Sequence, residues 1–275
     1  SREIARRLTT GRLICVDRDQ AALDAAADKL GEQMERVTLV HSNFDRLDEI
    51  LDTLGIGGVN GMLFDLGVSS PQLDDPARGF SYMQDAPLDM RMDRTDTLTA
   101  RTVVNEWPQE ELRRILYQYG EERYAPAIAA AIVRARDQKT IETTLELVDV
   151  IRCAMPPAAL REKQHPAKRT FQAVRIAVND ELAAVDRMVG AAVPRLVSGG
   201  RLAVISFHSL EDRIVKNALA AFAKGCTCPP DFPVCVCGKK PSVRLVHKKP
   251  IVSGARELEE NPRARSAKLR VAEKL

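Results

Sequence analysis

The chain has 275 residues, of which 45% are hydrophobic and 29% charged, and its net charge is +3. This length suits one large domain or two modest ones, and this composition is typical of globular rather than disordered proteins. No apolar run approaches the ~20 residues that a membrane span needs, and residues 1–7 lack the apolar stretch of a signal peptide. We therefore expect neither membrane insertion nor secretion, and we expect a cytoplasmic protein.

Strands and helices alternate over the first 65 residues. Short apolar runs at 13–16, 37–40 and 59–64 predict strands, and the stretches 20–30 and 47–54 between them predict helices. Strands and helices that alternate at this spacing indicate a parallel sheet with helices on its faces.

The middle of the chain is predicted to be helical. Apolar residues recur at helical spacing from 105 to 155, and again along one long predicted helix from 168 to about 193. A strand pattern returns at 201–207, after a predicted turn at 198–200. A further helix and two strands are then predicted at 210–222, 243–247 and 268–271. The simplest architecture is an α/β domain interrupted by a helical insertion at roughly 77–170.

The predicted strand ends carry residues suited to a nucleoside. In an open α/β sheet, ligands bind beyond the carboxyl ends of the strands, and the residues there are Asp17, Asn43, Phe44, Asp65 and His208. The carboxylate of Asp17 can accept hydrogen bonds from both ribose hydroxyls of a nucleoside-containing cofactor, and Phe44 can lie against its adenine. The alternative for Asp17 is a helix N-cap, because a helical run follows it.

The turn after the third predicted strand points to a reaction. Segment 63–72 reads LFDLGVSSPQ and leads from Asp65 into a turn that contains Ser69, Ser70 and Pro71. Ser-Ser-Pro resembles the Ser-Pro-Pro or Asn-Pro-Pro loop of enzymes that methylate exocyclic amino groups. Such an amine is a weak nucleophile, because its lone pair conjugates with the ring, and hydrogen-bond acceptors near its hydrogens free that lone pair. Direct in-line attack on a sulfonium methyl then depends mainly on positioning, with no covalent enzyme intermediate.

The six cysteines fall into two groups. Cys15 lies in a predicted strand and Cys153 in a predicted helix, and we expect both to be inert core residues. The other four lie within twelve positions, at Cys226, Cys228, Cys235 and Cys237. Four thiolates can enclose zinc, although C-x-C pairs are tighter than the usual spacing; the alternative is free thiols, since disulfides are disfavoured in the cytosol. We assign no metal to the predicted active site.

Positive charge is concentrated towards the C-terminus. Residues 224–275 contain 12 Lys or Arg against 5 Asp or Glu, an excess of +7, so the rest of the chain carries −4. A basic segment on a slightly acidic body indicates a polyanionic partner, and the alternative is a solvated charged end. Only 4% of residues are aromatic, which argues against a protein that holds single strands mainly by stacking.

Segment 65–72 resembles the signature of the MraW (RsmH) family of bacterial 16S ribosomal RNA cytosine-N4 methyltransferases. Five further segments match the same family in order along the chain. They are GEER at 120–123, HPAKRTFQA at 165–173, RIAVNDEL at 175–182, SFHSLEDR at 206–213 and NPRARSAKLR at 261–270. Chance agreement of all these blocks is implausible.

The resemblance implies a fold and a reaction. It implies a Rossmann-like methyltransferase domain, formed by 1–76 and 171–275, with an inserted all-helical domain at 77–170 that recognises substrate. The family's first strand and Gly-Gly-His loop are expected to precede Ser1, which puts the methionine end of the cofactor site outside this sequence. The implied reaction transfers a methyl group from S-adenosylmethionine to N4 of a cytidine in the decoding region of 16S rRNA, within the small ribosomal subunit. By similarity, the cofactor contacts are Asp17, Phe44, Asp65 and Gln72.

Roles in catalysis follow from position after the strand end. Ser69, Ser70 and the backbone around Pro71 are predicted to hold the cytosine amine, and Asp65 to bridge cofactor and loop. His208 has two interpretations: a contact with the base or a phosphate, or a helix-start residue bonded to Glu211.

Three questions stay open at this level. Arg169 and Arg175 can each reach a phosphate, although a surface ion pair is the commoner fate of such side chains. A DNA amino-methyltransferase would share the Ser-Ser-Pro loop, and a dehydrogenase would share the acid at Asp17. An RNA-binding assembly factor that no longer turns over is the alternative from another class.

Overall fold

The computed structural model describes residues 1–229, 232–234 and 236–275. These residues form two compact units. Unit one comprises residues 1–67 and 182–275, and unit two comprises residues 68–181. The helical insertion expected at 77–170 falls within the span of unit two. None of the helices in these described ranges combines the length and the apolar character needed to cross a membrane.

The strands belong to unit one. They are β1 Leu13–Asp17, β2 Val37–His41, β3 Val59–Asp65, β4 Leu196–Ser206, β5 Val243–Leu245, β6 Ile251–Val252 and β7 Lys268–Lys274.

Helices precede, separate and follow these strands. They are α1 Arg2–Arg7, α2 Gln20–Leu30, α3 Leu47–Thr53, α4 Ser70–Asp74, α5 Ala100–Glu106, α6 Gln109–Gln118, α7 Ala125–Gln138, α8 Thr144–Ala154, α9 Pro157–Leu160, α10 Lys168–Asn179, α11 Glu181–Arg195, α12 Ser209–Lys224 and α13 Ala255–Glu260.

Unit one contains two sheets that share a core. β1 and β2 pair in parallel, with Asp17 opposite His41 at their carboxyl ends. β3 pairs in parallel with β4, which pairs antiparallel with β7, and β7 also pairs with β5 and β6. The core packs side chains of α3, α11 and α12 against the strands, and β1 contributes Ile14 to its edge. The predicted α/β class is confirmed, with parallel pairing between β1 and β2 and between β3 and β4. The single parallel sheet expected for the first 65 residues is divided, because β3 pairs with β4 and belongs to the other sheet.

Strand β4 is longer than the sequence indicates. It begins at Leu196 and runs through the turn predicted at 198–200. Its pairing with β3 shifts register between Val59 and Gly61, which marks a local irregularity rather than a reversal of the chain. A Cβ atom at Gly200 would lie 2.9 Å from the Val197 carbonyl oxygen and 3.1 Å from that of Asn60. Glycine is therefore needed here, because a side chain would meet the backbone both of the same strand three residues earlier and of β3. Gly199, at φ +77°, bends the strand at this point.

Unit two is built from helices α4 to α10. Its core is formed by side chains that are almost completely buried, including Val103, Ile115, Ile128 and Leu147 from four successive helices of the unit. The amphipathic pattern predicted for 105–155 is thus confirmed, because each helix turns its apolar face to this shared core.

The single helix predicted from 168 to about 193 is wrong, because the chain breaks at Asp180. Asp180 has φ +49° and ends α10 in the left-handed conformation, which Asp and Asn adopt more readily than other side chains. The neighbouring Asn179 is 1% exposed. Its Oδ1 accepts from the Met92 backbone N–H at 2.8 Å, and its Nδ2 donates to the Met90 carbonyl at 2.7 Å. This contact with a distant loop fixes where α10 ends.

Candidate cofactor and substrate site

Asp17 ends β1 and is half-buried in unit one. The Asp19 backbone N–H donates to Asp17 Oδ1 at 2.8 Å. Desolvation of the carboxyl raises the pKa of Asp17, partly opposed by that backbone hydrogen bond. The N-cap of α2 is Asp19, whose side chain accepts from the Ala21 backbone N–H. The N-cap alternative for Asp17 is therefore wrong, and its carboxyl group stands at the strand end.

The chain after β2 places an aromatic ring and a buried acceptor together. Phe44 opens a short 3-10 turn, and its ring lies edge-on to Phe64 of β3, with 6.0 Å between ring centroids. Next to it, Asn43 Oδ1 is buried and has no hydrogen-bond partner among the described residues. A buried acceptor without a donor is costly, so this atom is suited to a ligand that brings an N–H group. Sequence alone puts Asn43 at the strand end and predicts no role for it.

Asp65 ends β3, directly after Phe64. Its side chain is exposed to solvent. Partial desolvation raises the pKa of Asp65, and the negative charge of Glu211 raises it further. Glu211 is 1% exposed and was not predicted to bear on the site. The charge of Glu211, in the first turn of α12, thus makes the protonation of Asp65 depend on its surroundings.

The Ser-Ser-Pro turn forms the start of helix α4 in unit two. Ser69 is the N-cap: its Oγ accepts from the Gln72 backbone N–H at 3.3 Å, and Gln72 Oε1 accepts from the Ser69 N–H at 2.9 Å. This reciprocal capping box engages both side chains. Ser70 is exposed in the first turn, and its hydroxyl has no hydrogen-bond partner in the described parts of the chain. The two serines therefore differ: one caps the helix and the other faces solvent.

His208 is the N-cap of α12 in unit one. Its Nδ1 lies 3.5 Å from the Glu211 backbone N–H, its Nε2 lies 3.2 Å from Glu211 Oε1, and Glu211 Oε2 accepts from the Phe207 and His208 N–H groups. Of the two interpretations of His208, the structure supports the helix-start residue bonded to Glu211. The same carboxylate thus caps α12 and raises the pKa of Asp65.

Two of the segments that resemble the family meet in one ion-pair cluster. Asp212 accepts from Arg270 at 2.6 and 3.1 Å and from Lys268 Nζ at 3.4 Å. Burial alone would raise the pKa of Asp212, but the hydrogen bonds and charge of Arg270, with the charge of Lys268, lower it overall. Asp212 and Arg270 have side chains 12% exposed. This cluster ties α12 to β7.

The two arginines considered for phosphate contact both have partners within unit two. Arg175 forms a bidentate ion pair with Glu181, at 2.8 and 2.9 Å. Arg169 donates to the Glu121 carbonyl at 2.8 Å. A Cβ at Gly120 would lie 2.7 Å from the Arg169 carbonyl oxygen, so this turn needs glycine. These contacts join the segments 120–123 and 165–173.

The burial of the cysteines differs in part from the prediction. Cys15 is half-buried in β1, whereas Cys153 is exposed, so the expectation of a core residue at Cys153 is wrong. Helix α8 turns Leu147 and Ile151 inward, and Cys153 lies on another face. Near the C-terminus, the Sγ atoms of Cys226, Cys228 and Cys237 lie within 4.8 Å of one another. Cys235, the fourth member of the predicted cluster, lies outside the described residues.

Several basic side chains of residues 224–275 form ion pairs within unit one. Arg244 pairs with Glu273, and Arg256 pairs with Glu260. Lys268 and Arg270 belong to the Asp212 cluster. Two adjacent lysine pairs are exposed, Lys239–Lys240 and Lys248–Lys249, and Lys224, Arg263 and Arg265 are exposed too. Unit one therefore presents positive charge to solvent in this segment even though part of it is paired.

The sequence also matches known proteins over its whole length. The sequence profile of the MraW methylase family covers residues 1–275. A relative from Symbiobacterium thermophilum, "Ribosomal RNA small subunit methyltransferase H", is 57% identical over 274 residues, which is 99% of this chain and 86% of that protein. Proteins of the same name are 56% identical over 273 residues in Brevibacillus brevis (99% and 87%) and 57% identical over 271 residues in Paenibacillus sp. (96% and 86%). The mixed α/β fold agrees with a Rossmann-like methyltransferase fold, and this chain belongs to the MraW methylase family.

Proposed function

We propose that this protein transfers a methyl group from S-adenosylmethionine to N4 of a cytidine in 16S rRNA, within the small ribosomal subunit in the cytoplasm. The observation that carries the proposal is the set of groups at three strand ends of one α/β unit, Asp17, Phe44 and Asp65. Relatives more than half identical in sequence are named small-subunit rRNA methyltransferases, which supports the substrate class.

The groups at the first two strand ends fit the nucleoside part of this cofactor. The half-buried carboxylate of Asp17 would accept hydrogen bonds from the ribose hydroxyls. The ring of Phe44, already braced by Phe64, would lie against adenine. The adenine amino group is a donor of the kind that the buried Asn43 Oδ1 lacks. When bound, S-adenosylmethionine supplies an electrophilic methyl group on its sulfonium.

The chain's own residues would orient the cytosine amine. The exposed Ser70 hydroxyl, with Ser69 and the Pro71 backbone, would accept from the amine hydrogens and so make the nitrogen lone pair available. Five positions separate Ser70 from Asp65, so the chain itself keeps the two within about 18 Å. Asp65 would bridge cofactor and loop, and Gln72, whose Oε1 holds the Ser69 N–H, would support the loop and contact the cofactor. No cysteine is needed, because a positioned amine attacks directly.

The two domains expected from the sequence are assigned different tasks in this proposal. Residues 1–76 with 171–275 would form the methyltransferase domain, and the helical insertion at 77–170 would recognise the RNA. The exposed pairs Lys239–Lys240 and Lys248–Lys249 give unit one a basic surface for phosphates. Binding of the subunit should therefore weaken as salt concentration rises.

The test uses the purified protein, labelled S-adenosylmethionine and small ribosomal subunits that lack the modification. Nuclease digestion and nucleoside analysis then locate the label. Label on cytosine N4 is the expected result. Label on another atom would refute the substrate assignment. Tight subunit binding without transfer would favour the RNA-binding assembly factor.

Ser70→Ala is expected to lower the rate of methyl transfer by about 10–100-fold, because the amine loses a positioning acceptor. The fold should be unaffected, since Ser70 is exposed and Ser69 provides the helix cap. Steady-state kinetics and thermal unfolding of the same preparation test both parts. Ser69→Ala is the matched comparison: it removes the cap and should cost about 1 kcal/mol of stability. Unchanged transfer by Ser70→Ala would refute the role of this hydroxyl.

A further inference from the structure

We propose that Cys226, Cys228 and Cys237 form a structural zinc site that holds the loop between α12 and β5 closed. This proposal does not depend on the methyltransferase reaction. We call residues 225–241 the thiol loop. The three Sγ atoms converge within 4.8 Å of one another although nine to eleven positions separate Cys237 from the other two.

The spacing of the sulfurs fits one metal ion. Cys226 and Cys237 have their Sγ atoms 3.8 Å apart. This is well beyond the ~2.05 Å of a disulfide. Two thiolates on one tetrahedral zinc, each at about 2.3 Å from the ion, are about 3.8 Å apart. The cysteines that hold an iron–sulfur cluster surround several metal atoms and stand further apart, so a mononuclear ion fits better. Among metals that favour thiolates, zinc is the usual occupant of mononuclear tetrahedral sites.

In the described part of the thiol loop, the half-buried side chains include the three cysteines and the large apolar side chains are exposed. Cys226, Cys228 and Cys237 are half-buried, whereas the large apolar residues of the same loop point outward. Their exposed fractions are 49% for Phe232, 69% for Val234 and 73% for Val236. Among the described residues of this loop, the large apolar side chains therefore add little to a core. Bonds to a metal supply the missing stabilisation, as in other small metal-bound modules.

The surroundings of the sulfurs suit thiolates. The Thr227 backbone N–H donates to Cys237 Sγ at 3.5 Å, the kind of hydrogen bond that supports a metal-bound sulfur. Lys224, Lys239 and Lys240 flank the cysteines in sequence and oppose the negative charge that several thiolates bring to one ion. Each thiol releases its proton to solvent as its sulfur–zinc bond forms, and no electron is transferred.

The ends of the thiol loop already meet. Gly225, at φ +69°, approaches so closely that a Cβ atom there would lie 2.3 Å from the Lys240 carbonyl carbon. The Ser242 N–H donates to the Phe222 carbonyl at 2.9 Å, just outside the loop. The fold thus brings the two ends of the loop together, and the metal would link the three cysteines between those ends. The role proposed for the ion is structural, because it would link residues of one loop whose two ends the fold already joins.

The test is metal analysis of the purified full chain after passage over a chelating resin. We expect about one zinc ion per chain, falling at least about tenfold in Cys237→Ser, which removes the sulfur that contacts both Cys226 and Thr227. Cys153→Ser is the matched control, since this cysteine is exposed in unit two, and it should retain zinc at the wild-type level. Circular dichroism of each variant separates loss of metal from loss of fold.

Two further measurements use the same proteins. Replacement of zinc by cobalt should produce thiolate-to-cobalt charge transfer and the strong visible bands of tetrahedral coordination, both absent in Cys237→Ser. Removal of zinc by a chelator should expose the bond after Lys239 to trypsin. Wild-type protein without stoichiometric zinc, a Cys226–Cys237 disulfide in its intact mass, bound iron in place of zinc, or zinc retained by Cys237→Ser would each overturn the proposal.

Discussion

Replacing Asp65 by asparagine is expected to lower the rate of methyl transfer by about 10²–10³-fold, the range seen when one charged or polar group of an active site is lost. The proposed role of Asp65 as a bridge between cofactor and loop needs an ionised carboxylate as acceptor. An amide keeps the shape of the side chain and loses the charge. The effect should appear in kcat/KM measured with labelled S-adenosylmethionine and unmodified small subunits.

The same substitution should leave the protein as stable as the wild type or more stable. Partial desolvation and Glu211 raise the pKa of Asp65 in the folded state. The folded state therefore binds this proton more tightly than the unfolded state, and ionisation of Asp65 opposes folding at neutral pH. That penalty is fully present above the raised pKa and disappears as pH falls below the ordinary value of 3.8.

Thermal unfolding at several pH values tests whether ionisation of Asp65 opposes folding. The midpoint of Asp65→Asn should equal or exceed that of the wild type near pH 7, and the difference should shrink as the pH is lowered. Asp28→Asn is the matched control, an exposed acid on α2 in the same unit, and it should change neither rate nor midpoint appreciably. A variant that keeps full activity, or that unfolds far below the wild type, would contradict the role given to Asp65.

Elements with a strong local pattern could be predicted from the sequence. Helix α2 occupies Gln20–Leu30 as predicted, because its apolar spacing and Gly31 define it without help from distant residues. The strand ends were found for a related reason: a short apolar run followed at once by Asp17 or Asp65 shows where a parallel strand stops.

Features set by distant residues could not be predicted. The break at Asp180 depends on Asn179 binding the backbone of Met90 and Met92, 87 to 89 positions earlier. The charge of Glu211 on α12 raises the pKa of Asp65 on β3, and the two residues are far apart in sequence. Even Asp17 and Asp19 are equally plausible helix caps by sequence, and only the observed hydrogen bond distinguishes them.

Arg270→Met is expected to destabilise unit one by about 3–5 kcal/mol, because it leaves the buried carboxylate of Asp212 without its main partner. Methionine keeps much of the aliphatic volume, so the loss reports the charge and its two hydrogen bonds. Lys268 lies further away, at 3.4 Å, and is 39% exposed, so it compensates only in part. Urea unfolding at neutral pH, followed by circular dichroism, measures the shift in midpoint.

The pH dependence of the stability lost in Arg270→Met distinguishes the contribution of the ion pair from that of side-chain packing. Arg270 lowers the pKa of Asp212 in the folded state, so the stabilisation is present above the ordinary value of 3.8 and is lost as pH falls through the lowered pKa. The difference between Arg270→Met and wild type should therefore narrow in acid, and the double variant with Asp212→Asn should recover part of the loss at neutral pH. Arg256→Met is the matched control, because its pair with Glu260 is exposed and should contribute less than about 1 kcal/mol. If both arginine variants lost stability equally, or if the loss from Arg270→Met did not change with pH, the join between α12 and β7 would rest on packing rather than on this ion pair.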